Sequence, residues 1–211
     1  MSSKINDLFG TVGEPKTQDE WDQLNYLALQ LFTPHSPVDE EELFAGRISV
    51  VEAVADTVFQ KGQHAILYGE RGVGKTSLAN TIQTKIFARS KRYKIIKRNC
   101  IKQSKFKTIW AQLLDEMTVD DGRPLSTELG ENPTAYEIVR AIERFPSNLR
   151  PIFIIDEYDR IRDRSTHVKM ADTIKYLSDS GVDATVIIIG VAEDVRSLFG
   201  GHPSIQRNVR S

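Results

Sequence analysis

The sequence contains very little cysteine and no long apolar run, and both shortages restrict what the protein can be. Its only cysteine, Cys100, cannot form an internal disulfide, which fits a reducing compartment. The longest apolar stretch, Ala184–Ala192, is well short of the roughly 20 residues that cross a bilayer. The opening segment, Met1–Gly10, has no apolar core of secretory length. The sequence therefore predicts a soluble cytoplasmic protein that makes no membrane contact.

An excess of charge of one sign is also absent, since the formal net charge of the 211 residues is -1 at pH 7. This balance gives no general attraction to nucleic acid or anionic membranes, so any such contact needs a local patch. The sequence shows no repeat, low-complexity tract or obvious linker. With 40% hydrophobic side chains, the chain can bury a substantial core. We expect one main domain at residues 45–211 and an appendage at residues 1–44.

The appendage has the pattern of a helix. Thr17 and Glu20 have the capping-box spacing, at which each side chain can accept a hydrogen bond from the other residue's backbone N–H. Hydrophobic residues then recur at helical spacing from Trp21 to Phe32, and Thr33-Pro34 ends the pattern. We expect this N-terminal helical arm to dock on the main domain or on a neighbouring protein.

The main domain alternates short β-rich runs with helical patterns. Strands are predicted at His64–Tyr68, Tyr93–Asn99, Ile152–Ile155 and Ala184–Ile189. Helical periodicity occurs at Ile48–Gln60, Leu78–Ile86, Phe106–Met117, Ile138–Phe145 after a capping box at Thr134, and Met170–Leu177, with a turn-rich segment at Thr118–Pro133. Strands separated by helices indicate βαβ units, and apolar strands without polar alternation are typical of strands covered on both faces. The predicted fold is α/β, a three-layer parallel sheet with helices on both faces.

A glycine-rich loop lies between the first predicted strand and the next helix. The loop consists of Gly69, Glu70, Arg71, Gly72, Val73, Gly74, Lys75, Thr76 and Ser77, and it matches the pattern G-x-x-x-x-G-K-[ST]. Glycines let successive backbone N–H groups turn towards one phosphate, and the helix that follows adds the positive end of its dipole. Lys75 would reach the β- and γ-phosphates, and the Thr76 hydroxyl would bind Mg²⁺. The alternative is a glycine-rich turn with an ordinary surface lysine.

Two adjacent carboxylates, Asp156 and Glu157, follow the apolar strand Ile152–Ile155. They lie at the carboxyl end of a strand, where ligands of open α/β sheets bind. Asp156 is expected to hold the Mg²⁺ shell, and Glu157 to take a proton from the attacking water. The two side chains face opposite sides of the strand, so we expect different tasks for them. A solvated acidic loop is the alternative for this pair taken alone.

These motifs resemble those of the AAA+ ATPases, and within that family the bacterial and origin-recognition-like members. The resemblance covers residues 43–210 and is carried by Leu43–Arg47, the glycine loop, the acidic strand end and His202–Arg207. It implies a P-loop NTPase fold with strands in the spatial order first, fourth, third, second, ATP bound between subunits, and Mg²⁺ dependence. Arg47 would then lie near the adenine, and the absence of an Asn-Lys-x-Asp motif agrees with ATP rather than GTP. We also expect the strand with the acidic pair beside the loop strand, with Asp156 close to Thr76.

The resemblance implies roles for three further residues. Arg207 matches the arginine finger that such proteins offer to the γ-phosphate of a neighbouring subunit, and a solvated loop arginine is the alternative. Asn99 resembles the polar residue that holds the catalytic glutamate aside until a partner binds, although a strand-end asparagine also caps turns. Arg71 would contact phosphate or a partner, or remain solvated.

The sequence departs from the family pattern at two places. The family usually has a polar sensor residue at the end of the strand that follows the acidic pair, but this strand leads into Gly190-Val191-Ala192. The family pattern also continues with a further strand and a small helical lid, and both are expected to be missing here. The chain would then be a fragment of a larger protein, or a reduced member whose partner completes the site.

Positive charge is concentrated between Arg89 and Lys107. The run contains Arg89, Lys91, Arg92, Lys94, Lys97, Arg98, Lys102, Lys105 and Lys107. Phosphate contacts to DNA or RNA need such a patch, although a charge run is also typical of a solvated face. Since part of the run is a strand with alternating side chains, only some of it can form one surface.

Three functional hypotheses follow from the sequence. The first is an ATPase that works in a homo- or hetero-oligomer and hydrolyses ATP with Lys75, Thr76, Asp156 and Glu157. The second is a weakly hydrolysing, ATP-dependent switch that regulates a partner protein. The third is a DNA-associated, initiator-like ATPase.

Overall fold

The computed structural model describes residues 53–72, 74–76, 92–119, 121–146 and 148–193, together with residues 17 and 199 and the backbone of residues 209–210. Apart from Thr17, the predicted N-terminal arm lies outside these residues. The whole of the predicted helix Leu78–Ile86 and the start of the predicted helix Ile48–Gln60 also lie outside these residues.

The described elements follow one another in the order that the sequence predicts. In chain order they are α1 (53–59), β1 (His64–Leu67), β2 (Tyr93–Asn99), α2 (Phe106–Leu114), α3 (Ala135–Glu143), β3 (Arg150–Asp156), α4 (Arg164–Ser180), β4 (Thr185–Ile189) and β5 (Val209–Arg210). Residues 75 and 76 are also helical. The turn-rich segment between α2 and α3 holds a short 3-10 helix at Leu125–Glu128. A second one, Tyr158–Arg160, follows β3 directly.

The strands form one parallel sheet in the order β2-β3-β4-β1-β5. This order confirms the expected sequence first, fourth, third, second. The expectation that the acidic strand lies beside the loop strand was wrong, because β4 lies between β1 and β3. The expectation that the last strand is missing was also wrong, since Val209 pairs with His64 at the free edge of β1.

The core explains why the central strands lack polar alternation. All seven residues of β3 and all five of β4 are buried. Phe153 and Ile155 pack towards α2, α3 and α4, whereas Ile152 and Ile154 pack with Val54 and Val58 of α1. Successive strand side chains point to opposite faces, so a strand covered on both faces must be apolar at every position. The molecule therefore has the predicted three layers.

The helices that cover the sheet begin where their capping residues indicate. Thr134 and Glu137 form the predicted capping box at the start of α3. Asp163 caps α4 by accepting a hydrogen bond from the backbone N–H of Thr166, and α4 ends at Gly181 with a positive φ of 64°. In the described part of the chain, no helix combines the length and the apolar character needed to cross a membrane.

Candidate functional site

The glycine loop follows β1 at the carboxyl edge of the sheet. Gly69, Gly72 and Gly74 have φ values of 144°, 89° and 78°, which side-chain-bearing residues rarely adopt. A Cβ added at Gly72 would meet no atom within 4 Å, so the backbone conformation rather than lack of space requires glycine there. The loop therefore has a curled backbone of the kind that turns N–H groups towards an anion.

Lys75 is folded back onto this loop. Its Nζ donates hydrogen bonds to the carbonyl oxygens of Gly69 and Glu70, at 2.9 and 2.5 Å. These two hydrogen bonds keep the positively charged ammonium group of Lys75 next to the glycine loop. A phosphate that displaced these carbonyls would gain a charge-assisted contact with the ammonium group.

Asp156 ends β3 and is 2% exposed. Its Oδ1 accepts a hydrogen bond from the backbone N–H of Glu157 at 2.8 Å. Its Oδ2 is buried and accepts no hydrogen bond, although Lys97 Nζ lies 3.2 Å away as an ion pair. A buried oxygen of this kind can still accept a bond from a ligand or hold part of a metal shell. Asp156 thus fits the predicted metal-binding role.

Glu157 sits in a strained turn directly after the strand. With φ 56° and ψ 33°, it is the one residue other than glycine with a positive φ among those the structure describes. A left-handed conformation costs a residue with a side chain about 1–2 kcal/mol. Glu157 is the N-cap of the short helix Tyr158–Arg160, and its carboxylate pairs with Arg160 at 3.0 Å.

These groups meet in one cleft of about 350 Å³. Its lining comes from the glycine loop, from the segment after β3 and from the end of β4. The lining residues are Arg71, Gly72, Gly74, Lys75, Thr76, Asp156, Glu157, Asp159, Arg160, Ile189, Gly190 and Val191. Thr76 and Asp156 therefore share a cleft even though β4 separates their strands.

Asn99, which was predicted to belong to the site, lies outside the cleft. Asn99 is opposite Asp156 in the register of β2 and β3 and is exposed, but it does not line the cleft. The carboxylate it was expected to restrain pairs with Arg160 instead. Four other predicted residues are outside the described part of the chain, namely Arg47, Val73, Ser77 and Arg207.

The structure adds three residues that the sequence analysis did not assign to this site. Lys97 reaches Asp156 from the neighbouring strand, Arg160 pairs with Glu157, and Asp159 Oδ1 accepts a hydrogen bond from Val191 N–H at 2.8 Å. Asp159 and Arg160 follow the acidic pair so closely that their position was a usable signal. Lys97 gave a weaker signal, because its role depends on how β2 and β3 are paired.

Cys100 lies close to the acidic strand end but does not indicate a cysteine-based chemistry. Burial, with a smaller effect from the nearby Asp156, raises the pKa of Cys100 to about 12. The thiol is therefore protonated at neutral pH and is a poor nucleophile.

The described residues contain no group of three or more His, Cys, Asp or Glu side chains arranged to hold a metal ion. A metal bound here would need ligands from a hydroxyl and from a bound phosphate.

The parallel sheet, the glycine loop after its first strand and the acidic strand end define a P-loop nucleotide-binding domain. A family model described as AAA domain matches residues 59–199, well over half of the chain. The chain therefore belongs to the AAA+ P-loop ATPase family. A search of curated proteins gives no match.

Solved structures with the same fold include two archaeal ORC proteins and Drosophila ORC. The ORC1 protein of Aeropyrum pernix in complex with DNA is 18% identical, with a TM-score of 0.53 over 82% of this chain and 44% of that chain. The ORC2 protein of the same organism in ADPNP-ADP complexes is 16% identical, with a TM-score of 0.55 over 84% and 47%. Drosophila ORC bound to DNA is 19% identical, with a TM-score of 0.54 over 72% and 39%. The chain thus spans less than half the length of these proteins, and at such identities the likeness concerns the fold.

Proposed function

We propose that this chain binds ATP with Mg²⁺ in the cleft and hydrolyses it as part of an assembly. The observation that carries the proposal is the common lining of the cleft by the glycine loop, Asp156 and Glu157. The ADPNP-ADP complexes of the Aeropyrum pernix protein show that this fold holds adenine nucleotides in a distant relative. Nucleotide binding is also the common property of the P-loop motif.

Each described residue has a task in this proposal. The loop N–H groups hold the phosphates, and Lys75 exchanges its two carbonyl partners for phosphate oxygens. Thr76 and Asp156 would hold Mg²⁺, which would supply positive charge beside the phosphates. Glu157 accepts the proton of the attacking water after its ion pair with Arg160 opens. Outside the described residues, Arg207 of a neighbouring subunit completes the site.

The first prediction tests ATP binding and ATP hydrolysis separately. Lys75→Ala removes the charge that faces the phosphates and should abolish ATP binding measured by calorimetry. Glu157→Gln removes only the proton acceptor, so it should bind ATP like the parent and lose about 10²-fold to 10⁴-fold in phosphate release. Glu131→Gln, at an exposed position away from the cleft, is the matched control and should keep both. Unchanged turnover in Glu157→Gln would remove its catalytic role.

A second candidate function is an ATP-dependent switch with little hydrolysis. It is favoured by the end of β4, where Gly190 and Val191 line the cleft without offering a side-chain hydroxyl or amide to position water. Its signature would be nucleotide-dependent binding of a partner protein without measurable turnover. Vigorous turnover by the parent chain would contradict it.

A third candidate is contact with DNA, which the names of two similar structures suggest. Lys102, Lys105 and Lys107 are exposed at the start of α2. Lys97 and Arg98, however, already pair with Asp156 and Glu116, so the available patch is smaller than the sequence indicates. DNA binding that weakens steeply with salt would support this candidate, and no gel shift in the presence of ATP would contradict it.

A further inference from the structure

Lys97 is a positive charge next to the candidate metal ligand, and the proposed chemistry gives it no task. It lies on β2, two positions before Asn99 and on the same face of the strand, because side chains alternate along a strand. In the register, Asn99 lies opposite Asp156 and Lys97 lies opposite Ile154. The long side chain therefore runs along the sheet towards its carboxyl edge, and Nζ reaches 3.2 Å from Asp156 Oδ2.

Both partners of this contact are largely removed from water. The Asp156 side chain is 2% exposed and that of Lys97 is 15% exposed. A buried carboxylate is strongly destabilising unless a positive charge or hydrogen bonds compensate it. Asp156 has one hydrogen bond, from Glu157 N–H to Oδ1. Lys97 supplies the positive charge at the other oxygen.

The contact with Lys97 leaves the hydrogen-bonding capacity of this buried oxygen unused. Although Nζ lies near Oδ2, the contact does not have hydrogen-bond geometry, and Oδ2 accepts no other hydrogen bond. Lys97 therefore balances the charge of Asp156 without using its acceptor positions. A cation that approached Oδ2 would find an acceptor but would also meet the repulsion of the nearby ammonium group.

We propose that Lys97 is a built-in counter-ion for Asp156, which stabilises the carboxylate in the metal-free protein and raises the Mg²⁺ concentration needed at the site. The competing charge weakens Mg²⁺ binding, and the ion pair keeps the fold intact when Mg²⁺ is absent. The inference rests on the proposed function in one respect, the assignment of Asp156 to Mg²⁺. The counter-ion role itself requires no nucleotide.

The test replaces Lys97 by methionine, which keeps most of the apolar stem and removes the charge. Lys94→Met is the matched control, since Lys94 lies on the same strand, is also partly buried and faces the other side of the sheet. ATP binding by each variant is measured by calorimetry over a series of Mg²⁺ concentrations. We expect Lys97→Met to reach half-saturation at about tenfold less Mg²⁺ than the parent, in line with the usual effect of one close charge. Lys94→Met should match the parent.

A second measurement needs neither metal nor nucleotide. Thermal unfolding is followed for Lys97→Met, Asp156→Asn and the double variant. Each single change should lower the unfolding midpoint, and the double variant should lose less than the two single losses combined, because it leaves no unpaired charge. If Lys97→Met is too unstable for calorimetry, the unfolding cycle is carried out with Lys97→Gln. This variant also removes the charge but keeps a polar side chain.

The outcomes separate the two proposals. If the parent shows no Mg²⁺-linked ATP binding, the proposed function fails, whereas the unfolding cycle still tests the counter-ion. If the parent binds Mg-ATP and Lys97→Met needs the same Mg²⁺ concentration, the effect of Lys97 on the metal is refuted. Additive losses in the unfolding cycle would refute the counter-ion role.

Discussion

His64, on the strand that leads into the glycine loop, is a buried histidine with one defined hydrogen bond. Its Nδ1 accepts the backbone N–H of Val186 on β4 at 3.1 Å. The proton of the neutral ring is therefore on Nε2, which is buried without a hydrogen-bond partner. Burial, with the charge of Arg150 as a smaller cause, lowers the pKa of His64 to about 4. The folded protein thus disfavours protonation of this ring.

We therefore predict a loss of stability as the pH falls from 6.5 towards 4. In that range the unfolded chain binds a proton at this histidine and the folded chain does not, which favours unfolding. From pH 7.5 to pH 5, His64 alone should lower the free energy of unfolding by about 2 kcal/mol. Urea unfolding at the two pH values measures this loss.

His64→Gln is the comparison, because its side-chain oxygen can accept the Val186 N–H without titrating. Its pH-dependent loss should be smaller than that of the parent by about the same 2 kcal/mol. Equal losses in parent and variant would show that His64 does not cause the effect.

The site residues were predictable from the sequence where a motif of neighbouring residues identifies them. Lys75, Thr76, Asp156 and Glu157 follow from local spacing, and the structure brings all four to one cleft. The partners of Asp156 and Glu157 were not predicted. The contact of Lys97 with Asp156 requires the register between two strands, which local spacing does not contain.

Among the elements, α3 shows how far local signals define a helix. Its first turn is held by reciprocal bonds, since Glu137 N–H donates to Thr134 Oγ1 at 3.2 Å and Thr134 N–H donates to Glu137 Oε2 at 2.7 Å. Both residues and their spacing were visible in the sequence. The order of the strands was predictable only through the resemblance, and the inference that β1 and β3 are neighbours failed because strand pairing is not a local property.

We predict that Thr134→Ala lowers the free energy of unfolding by about 1 kcal/mol, because the first turn of α3 loses its side-chain acceptor. Thr134→Ser keeps the hydroxyl and should stay within a few tenths of a kcal/mol of the parent. Denaturant unfolding of the three proteins measures both differences. A Thr134→Ala variant as stable as the parent would show that the capping box contributes little here.

For the whole molecule, the proposal requires a second subunit at the cleft. We predict that light scattering finds a larger mass with ATP and Mg²⁺ than without nucleotide.

Arg207→Ala should still bind ATP, but turnover should fall by about 10³-fold or more, as is usual when an arginine finger is lost. Arg162→Ala, which changes an exposed arginine on the main domain, is the control and should keep parental turnover. Parental turnover in Arg207→Ala would rule out the finger.

The position of β2 limits how copies of the chain can come together. It is the last strand at its side of the sheet, so its outer backbone groups pair with no described strand. The edge strand of a sheet invites strand addition unless it is covered, and lysine is a common safeguard against such addition. Lys97 and Arg98 of this strand are paired with Asp156 and Glu116, so Lys94 is the residue whose charge a second copy of the edge would repel. Continuous sheets running from one copy to the next through β2 are therefore disfavoured, which leaves other faces for ordered assembly.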